Sequence, residues 1–384
     1  MTDWERGPLV LSWVCRLWRH VALSTPQLWC RITPNVSSSP ELLTAVLSRS
    51  GTLHLHVGVP QSPSPKLTQL FPSIVDRIVC MRIQGSILFL NNHFPVLERL
   101  ELLSPRPMTT IMEGYDARLY RLIISRFPKL QELCLLKSSH LILEPIGSQA
   151  SGLPPLQALE LPCETGARWR SVLQKISATL VSLHLHFEYG WETSNDPRQF
   201  SLPQLKYLKI TAPMSSSRSV LLHLDAPHLE YVEEGYRWSK SCSAKLLLMN
   251  PNTVKELATY AFPLDLTVYS GLRKLWLGEE IVDSRLMLSS LETQIQFSPE
   301  LEAILYSNRA GSLDTLGIRK FQPTDDPDPS VSDGVLYEIW NIVRRSGKDI
   351  SVWSFRPSDL NFPGSFLRRV CHFLNSSHIQ AWNS

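Results

Sequence analysis

No stretch of this sequence approaches 18 uninterrupted apolar residues, so a membrane-spanning helix is not expected. Neither sign of charge prevails. Lys and Arg number 38 against 35 Asp and Glu, a net of +3 over 384 residues. That balance gives no case for nucleic acid or an anionic membrane as the main partner. Seven cysteines, at 15, 30, 80, 134, 163, 242 and 371, form no C-x-x-C pair. Met1 to Pro8 is polar and lacks the apolar core of a secretory signal. Reduced, mostly buried thiols in the cytoplasm or nucleus are therefore expected. Glycine is scarce, at 17 against 28 prolines. Many of the prolines precede short apolar runs and read as punctuation between elements.

Signatures of chemistry are also missing. The sequence has no G-x-x-x-x-G-K-[ST], no G-x-G-x-x-G after a strand, no H-E-x-x-H and no G-x-S-x-G. Two H-x-H pairs, His54/His56 and His184/His186, would each put both imidazoles on one strand face, as metal ligation uses. No third ligand stands near either, so solvated histidines are expected, with no metal and no cofactor. Cys134 falls at an outward strand position, with no histidine or acid at a telling spacing. The expectation is a protein that is not an enzyme.

What is present is a repeat. A proline or loop is followed by L-x-x-L-x-L, as in FPVLERLEL (Leu97, Leu100, Leu102), FPKLQELCL (Leu130, Leu133, Leu135) and LPPLQALEL (Leu156, Leu159, Leu161). The pattern continues through Leu180, Leu205, Leu229, Val254, Leu272, Leu301 and Leu313. From Leu130 to Val254 the first apolar position recurs every 24–26 residues, inside the range of ~20–29 typical of leucine-rich repeats. Positions 4 and 6 point the same way from a short strand, and the first leucine packs from the turn before it. Stacked units would form one parallel sheet and one continuous core. Arg168–Leu180 reads as an amphipathic return helix, with 115–127 and 244–249 as further returns. The asparagine of the standard leucine-rich consensus does not follow these strands, so no side-chain amide ladder is expected.

Around the repeats, Glu41–Ser50 reads as a helix closed by Gly51, Leu53–Val57 and Val79–Ile83 as strands, Val335–Arg345 as a helix and Ile350–Phe355 as a last strand. The acidic, proline-rich stretch 321–333 reads as a loop, and Phe366–Leu374 as a short helix in a capping tail.

Leu9 to Ile32 carries apolar residues at Leu11, Val14, Cys15, Trp18, Val21 and Ala22, a single helical stripe ending near Ser24. Thr25-Pro26 reads as an N-cap and N1 pair opening a very short second helix with Leu28 and Trp29. The wording VCRLWRHVALSTPQLW resembles the second half of the F-box-like domain of fungal, basidiomycete-type proteins, matching at Val14, Cys15, Arg16, Trp18, Arg19, Ala22, Thr25, Pro26, Leu28 and Trp29. The helix and R-S-G-T-L-x-L-x-V run that follows is similar to the same family. No Leu-Pro-x-Glu helix precedes Leu9, so the expectation is a partial, N-terminally truncated F-box.

The resemblance implies a substrate receptor that docks on a Skp-family adaptor, and through it on a cullin, in an SCF-type ubiquitin ligase acting in protein degradation. The alternative is a non-catalytic repeat scaffold that has lost adaptor docking. The expected fold is α/β: a leucine-rich-repeat-like solenoid with a parallel sheet at 36–320, a partial F-box-like helical unit at 1–35, and an acidic loop with a capping segment at 321–384. Trp13, Leu17, Trp18, Pro26, Leu28 and Trp29 are the candidate adaptor contacts, with Trp18 and Trp29 equally readable as core. Tyr207, Tyr231, Tyr260 and Trp276, which alternate with buried leucines, are the candidate substrate contacts.

Overall fold

The computed structural model describes residues 7–32, 40–60, 63, 65–84, 90–103, 120–123, 126–136, 141–144, 154–163, 173–187, 200–212, 221–236, 245–248, 250–259, 266–277, 284–307, 319–321 and 334–355. The chain divides into two compact units, Met1–Pro162 with Arg168–Thr179, and Cys163–Ala167 with Leu180–Ser384. Both are α/β, with parallel sheets and few helices.

In the first unit the strands are β1 (Arg31–Ile32), β2 (Leu55–Val59), β3 (Ile78–Ile83), β4 (Arg99–Leu103), β5 (Tyr120–Ile123), β6 (Glu132–Leu136), β7 (Leu141–Glu144) and β8 (Ala158–Cys163). Six of them pair in parallel in the order β1-β2-β3-β4-β6-β8. β5 and β7 form a separate parallel pair. Each L-x-x-L-x-L run supplies one main-sheet strand. Leu97, Leu130 and Leu156 in the preceding turns are fully buried, and Leu100, Leu102, Leu133, Leu135, Leu159 and Leu161 fill the same interior. Beside them Phe71, Phe94 and Phe127 form an aromatic spine. Phe71 and Phe94 meet edge to face at 5.9 Å, and Phe94 stacks on Phe127 at 5.5 Å. Each of these phenylalanines precedes a proline, which fixes the turn that drives the ring inward.

The second unit contains β9 (Ser182–Phe187), β10 (Phe200–Ser201), β11 (Tyr207–Ala212), β12 (Leu221–Asp225), β13 (Tyr231–Tyr236), β14 (Lys245–Leu248), β15 (Glu256–Thr259), β16 (Lys274–Leu277), β17 (Ala303–Ser307), β18 (Arg319–Phe321) and β19 (Ser351–Phe355). Its main sheet runs β9-β11-β13-β15-β16-β17-β19 in parallel, and β18 pairs antiparallel with β19. β10, β12 and β14 make a second, parallel sheet. Helix Ser284–Gln294 packs against helix Gly334–Ser346. Lys348 ties them further, its ammonium donating to the carbonyls of Ile295, Gln296 and Ser298 at 2.7, 3.2 and 3.0 Å.

A main-chain device joins successive repeats within each unit. The carbonyl just after the first leucine of one repeat accepts two consecutive N–H groups from the next. Glu98 O takes Gln131 and Glu132, and Gln131 O takes Gln157 and Ala158. In the second unit Val181, Lys206, Glu230, Lys255 and Arg273 do the same, at 2.8–3.1 Å. Both lone pairs of each acceptor are thereby used. The stacking direction needs no asparagine because the backbone itself supplies the ladder.

Several expected elements differ. The single N-terminal helix is two, Gly7–Val14 and Arg16–Ser24, because Cys15 is extended (φ −158°, ψ 175°). The returns expected at 115–127 and 244–249 contain strands β5 and β14 instead. Of the Arg168–Leu180 return, residues 173–176 are helical and the residues before 173 lie outside the described ones. Gly51 takes the left-handed conformation (φ 56°) that closes helix Pro40–Arg49. Phe366–Leu374 lies outside the described residues, as does all but Phe321 of the acidic stretch.

Candidate docking surfaces

The break at Cys15 resets the phase of the N-terminal helices. One unbroken helix would have buried Val14, Trp18 and Val21 together. Instead these side chains face outward with Val10, Trp13, Leu17 and Leu23, and Trp13 and Leu17 are 74% and 70% exposed. The inward side is made by Ser12 and Ala22. Arg19 holds the break, its Nε donating to the Ser12 carbonyl at 2.8 Å. Thr25 does not cap the next turn. Its hydroxyl donates back to the Val21 carbonyl at 2.7 Å.

Of the candidate adaptor contacts, Trp13, Leu17 and Trp18 are exposed, while Pro26 and Leu28 are half-buried. Trp29 is core, at 2% exposure. Its Nε1 donates to the Ala22 carbonyl at 2.6 Å, and the Arg49 guanidinium lies 4.5 Å over its ring. Trp29 therefore fastens the helical pair to helix Pro40–Arg49 and is not presented to a partner. Each outward tryptophan or leucine would contribute about 1.5–3 kcal/mol if a partner covered it. Seven large apolar side chains, three of them valines, stand exposed on this one helical pair. Arg16, Arg19, His20 and Arg31 stand along residues 7–32, and no Asp or Glu does.

The second surface is the polar face of the second unit. Strand register aligns Tyr207, Tyr231, Glu256 and Lys274 in one row, and Lys209, Glu233, Ala258 and Trp276 in the next. Tyr207, Tyr231 and Trp276 thus share one face, as the alternation with leucine implied, and all three are half-buried. Tyr260 lies outside the described residues. Charges on this face are matched in place. Lys209 pairs with Glu233, Lys274 Nζ lies 2.8 Å from Glu256, and the Tyr231 hydroxyl donates to Glu233 at 3.2 Å. Glu233 and Glu256 are buried, so their pairing carries energetic weight. The face sets the aromatic edges of Tyr207, Tyr231 and Trp276 among charges paired in place.

The first unit has its own polar face. Arg99 sits between Glu101, whose Oε1 is 2.9 Å from Nε, and Glu132, 3.1 Å from a terminal nitrogen. Burial works against the guanidinium charge, but the two carboxylates outweigh it and hold Arg99 above its ordinary range. Cys134 is buried and not outward-facing in any accessible sense. Its thiol donates to Glu160 Oε2 at 2.7 Å. Burial pushes that thiol well up, and the Glu160 carboxylate adds to the push, so it stays protonated and unreactive. Not all thiols are buried: Cys15 is exposed, and Cys30 and Cys80 are intermediate. The histidines also depart from expectation, since His184 is buried and not solvated.

No family model and no curated protein matches this chain. Among the described residues no helix is long and apolar enough to cross a membrane.

Sequence reasoning missed the helix break, the phenylalanine spine and the shared-carbonyl ladder. The F-P dipeptides at 71–72, 94–95 and 127–128 carried a signal for the spine. The other two leave none, since one is a single extended residue and the other is main chain.

Proposed function

We propose that this chain is an F-box-type substrate receptor built on a leucine-rich-repeat-like solenoid. The N-terminal helical pair docks a Skp-family adaptor through Trp13, Leu17 and Trp18, with Pro26 and Leu28 at the edge. The repeats grip a protein substrate, with Tyr207, Tyr231 and Trp276 as anchors. The chain itself is non-catalytic. It acts by raising the effective concentration of substrate at a ubiquitin ligase.

One observation carries this reading. The stretch whose wording resembles an F-box-like domain leaves Leu17, Trp18 and Leu23 outside, with Trp13 just before it, while Trp29 holds it to the next helix. A helical cap serving only the repeats would have turned them inward. Residues 7–32 carry three arginines and no acid, which adds a preference for a partner with an acidic rim.

The test is co-purification of the full chain with a Skp-family adaptor, set beside Trp13→Ala and Leu17→Ala. Hot-spot truncations of this kind cost about 2 kcal/mol or more, so binding should weaken at least ~30-fold with the fold unchanged. Absence of binding by the unmodified chain would leave the repeat scaffold without a ligase.

A further inference from the structure

Cys80 stands on β3 in a place that strict alternation would not give it. Ile78 faces the core, and Cys80 two residues on would follow it inward. The pairing of β2 with β3 slips between Leu55 and His56, so that Leu55 meets Ile78 but His56 meets Cys80. Val79 is the extra residue of a bulge, a device that re-aims side chains. Beyond it Met81 and Ile83 are the buried residues, while Cys80 and Arg82 face outward.

The register then draws a row across four strands. Arg31 pairs with His56, His56 with Cys80, and Cys80 with Arg99. The row beside it holds Gly58, Arg82 and Glu101. Neighbouring strands lie about 4.8 Å apart, so the thiol has an imidazole on one side and a guanidinium on the other. Charge on the Cys80 sulfur is one of the causes that hold Arg99 above its ordinary range, which sets the two groups in electrostatic reach. On β1 to β4 the two rows carry three arginines and a histidine against one glutamate. Arg99 is committed to Glu101 and Glu132. Arg31 is exposed, and Arg82, 3.6 Å from Glu101, keeps 55% of its side chain in solvent. Gly58 adds no side chain to the corner between His56, Cys80 and Arg82. Cys80 itself is partly exposed and not in a disulfide. Partial exposure among basic groups is the setting in which cysteine reacts as thiolate. Cys134, buried against Glu160, is the opposite case.

We propose that Cys80 is a reversible modification site for a small anionic disulfide of the glutathione type. His56 accepts the thiol proton. The Cys80 thiolate attacks one sulfur of the reagent R–S–S–R. A Cys80–S–S–R bond forms, and the bond between the two reagent sulfurs breaks. R–S⁻ leaves and takes up the proton, so the Cys80 sulfur is oxidised and the leaving sulfur reduced. Arg31 and Arg82 face the carboxylates of R, and excess R–SH reverses the step. The site lies within the first unit and is independent of the docking role proposed above.

The test uses the reduced full chain at pH 7, exposed to glutathione disulfide and, in parallel, to cystamine, a cationic disulfide. Peptide mass spectrometry follows the adduct at Cys80. Glutathione should appear there, and dithiothreitol should remove it. His56→Gln should slow both reagents at Cys80 about tenfold, the loss of thiolate that goes with the missing imidazole. Arg82→Gln should lower the ratio of the glutathione disulfide rate to the cystamine rate several-fold, and salt at about 0.5 M should do the same. Cys15→Ser should leave both rates at Cys80 unchanged. Circular dichroism on each variant establishes that it is folded, and if His56→Gln does not fold, the exposed Arg82 decides alone. No adduct at Cys80, a rate that His56→Gln leaves unchanged, or a reagent ratio indifferent to Arg82→Gln and to salt would each overturn the proposal.

Discussion

Two tryptophans of the same short stretch do opposite jobs. Trp29 is sealed, hydrogen-bonded and covered by Arg49, while Trp18 looks outward. Trp29→Ala should therefore cost about 3–5 kcal/mol of stability, and Trp18→Ala should stay within about 0.5 kcal/mol. Denaturant melts of the two variants test this, and similar losses for both would contradict the assignment of core and surface. Thiols divide in the same way. Exposed Cys15 should be alkylated by iodoacetamide at pH 8 well before Cys134, as mapped by mass spectrometry. The raised Cys134 pKa has a thermodynamic counterpart. In the unfolded chain this thiol ionises near ~8.5, while the folded protein keeps it neutral. Its contribution is therefore complete below that pH and is lost as pH rises, so the wild-type chain should lose stability above pH ~8.5 more steeply than Cys134→Ser.

At the scale of elements, the leucines were the legible part. Leu100, Leu133, Leu159, Leu183 and Leu208 are all buried where the period placed them. The strands Ile78–Ile83 and Ser351–Phe355 and the helices Pro40–Arg49 and Gly334–Ser346 lie within a residue or two of their expected bounds. What misled was brevity. KLLL at Lys245–Leu248 has too few residues for a period of two to be told from one of 3.6. The N-terminal helix failed for another reason: a break at one residue shifts every later side chain to a new face, and composition does not record it. Close approach of turns is likewise invisible in sequence. A Cβ added to Gly271 would stand 2.3 Å from the Asn252 carbonyl oxygen, which is backbone and has no rotamer to change. Gly271→Ala should cost about 1–3 kcal/mol, measurable as a fall in the denaturation midpoint. An unchanged midpoint would mean that this turn yields more easily than its geometry implies.

For the molecule as a whole, the periodicity announced α/β units with parallel sheets, because one apolar face per strand and one crossover per repeat admit little else. The docking surfaces were legible only in part. Alternation with leucine placed Tyr207, Tyr231 and Trp276 on one face, but it did not show the Lys209–Glu233 and Lys274–Glu256 pairs beside them, which are drawn from different repeats. The paired histidines were visible as spacing, and their burial was not.

The shared carbonyls have a consequence for descent. The acceptor that joins one repeat to the next is main chain, so no side chain has to be inherited to keep the join. Glutamate, glutamine, valine, lysine and arginine all occupy that position. A gene encoding such a chain can gain or lose a whole unit, or let its units drift apart in spelling, and each new unit still finds its neighbour. What the packing still asks of each unit is its buried leucines, and a few leucines at loose intervals are a faint signature of ancestry.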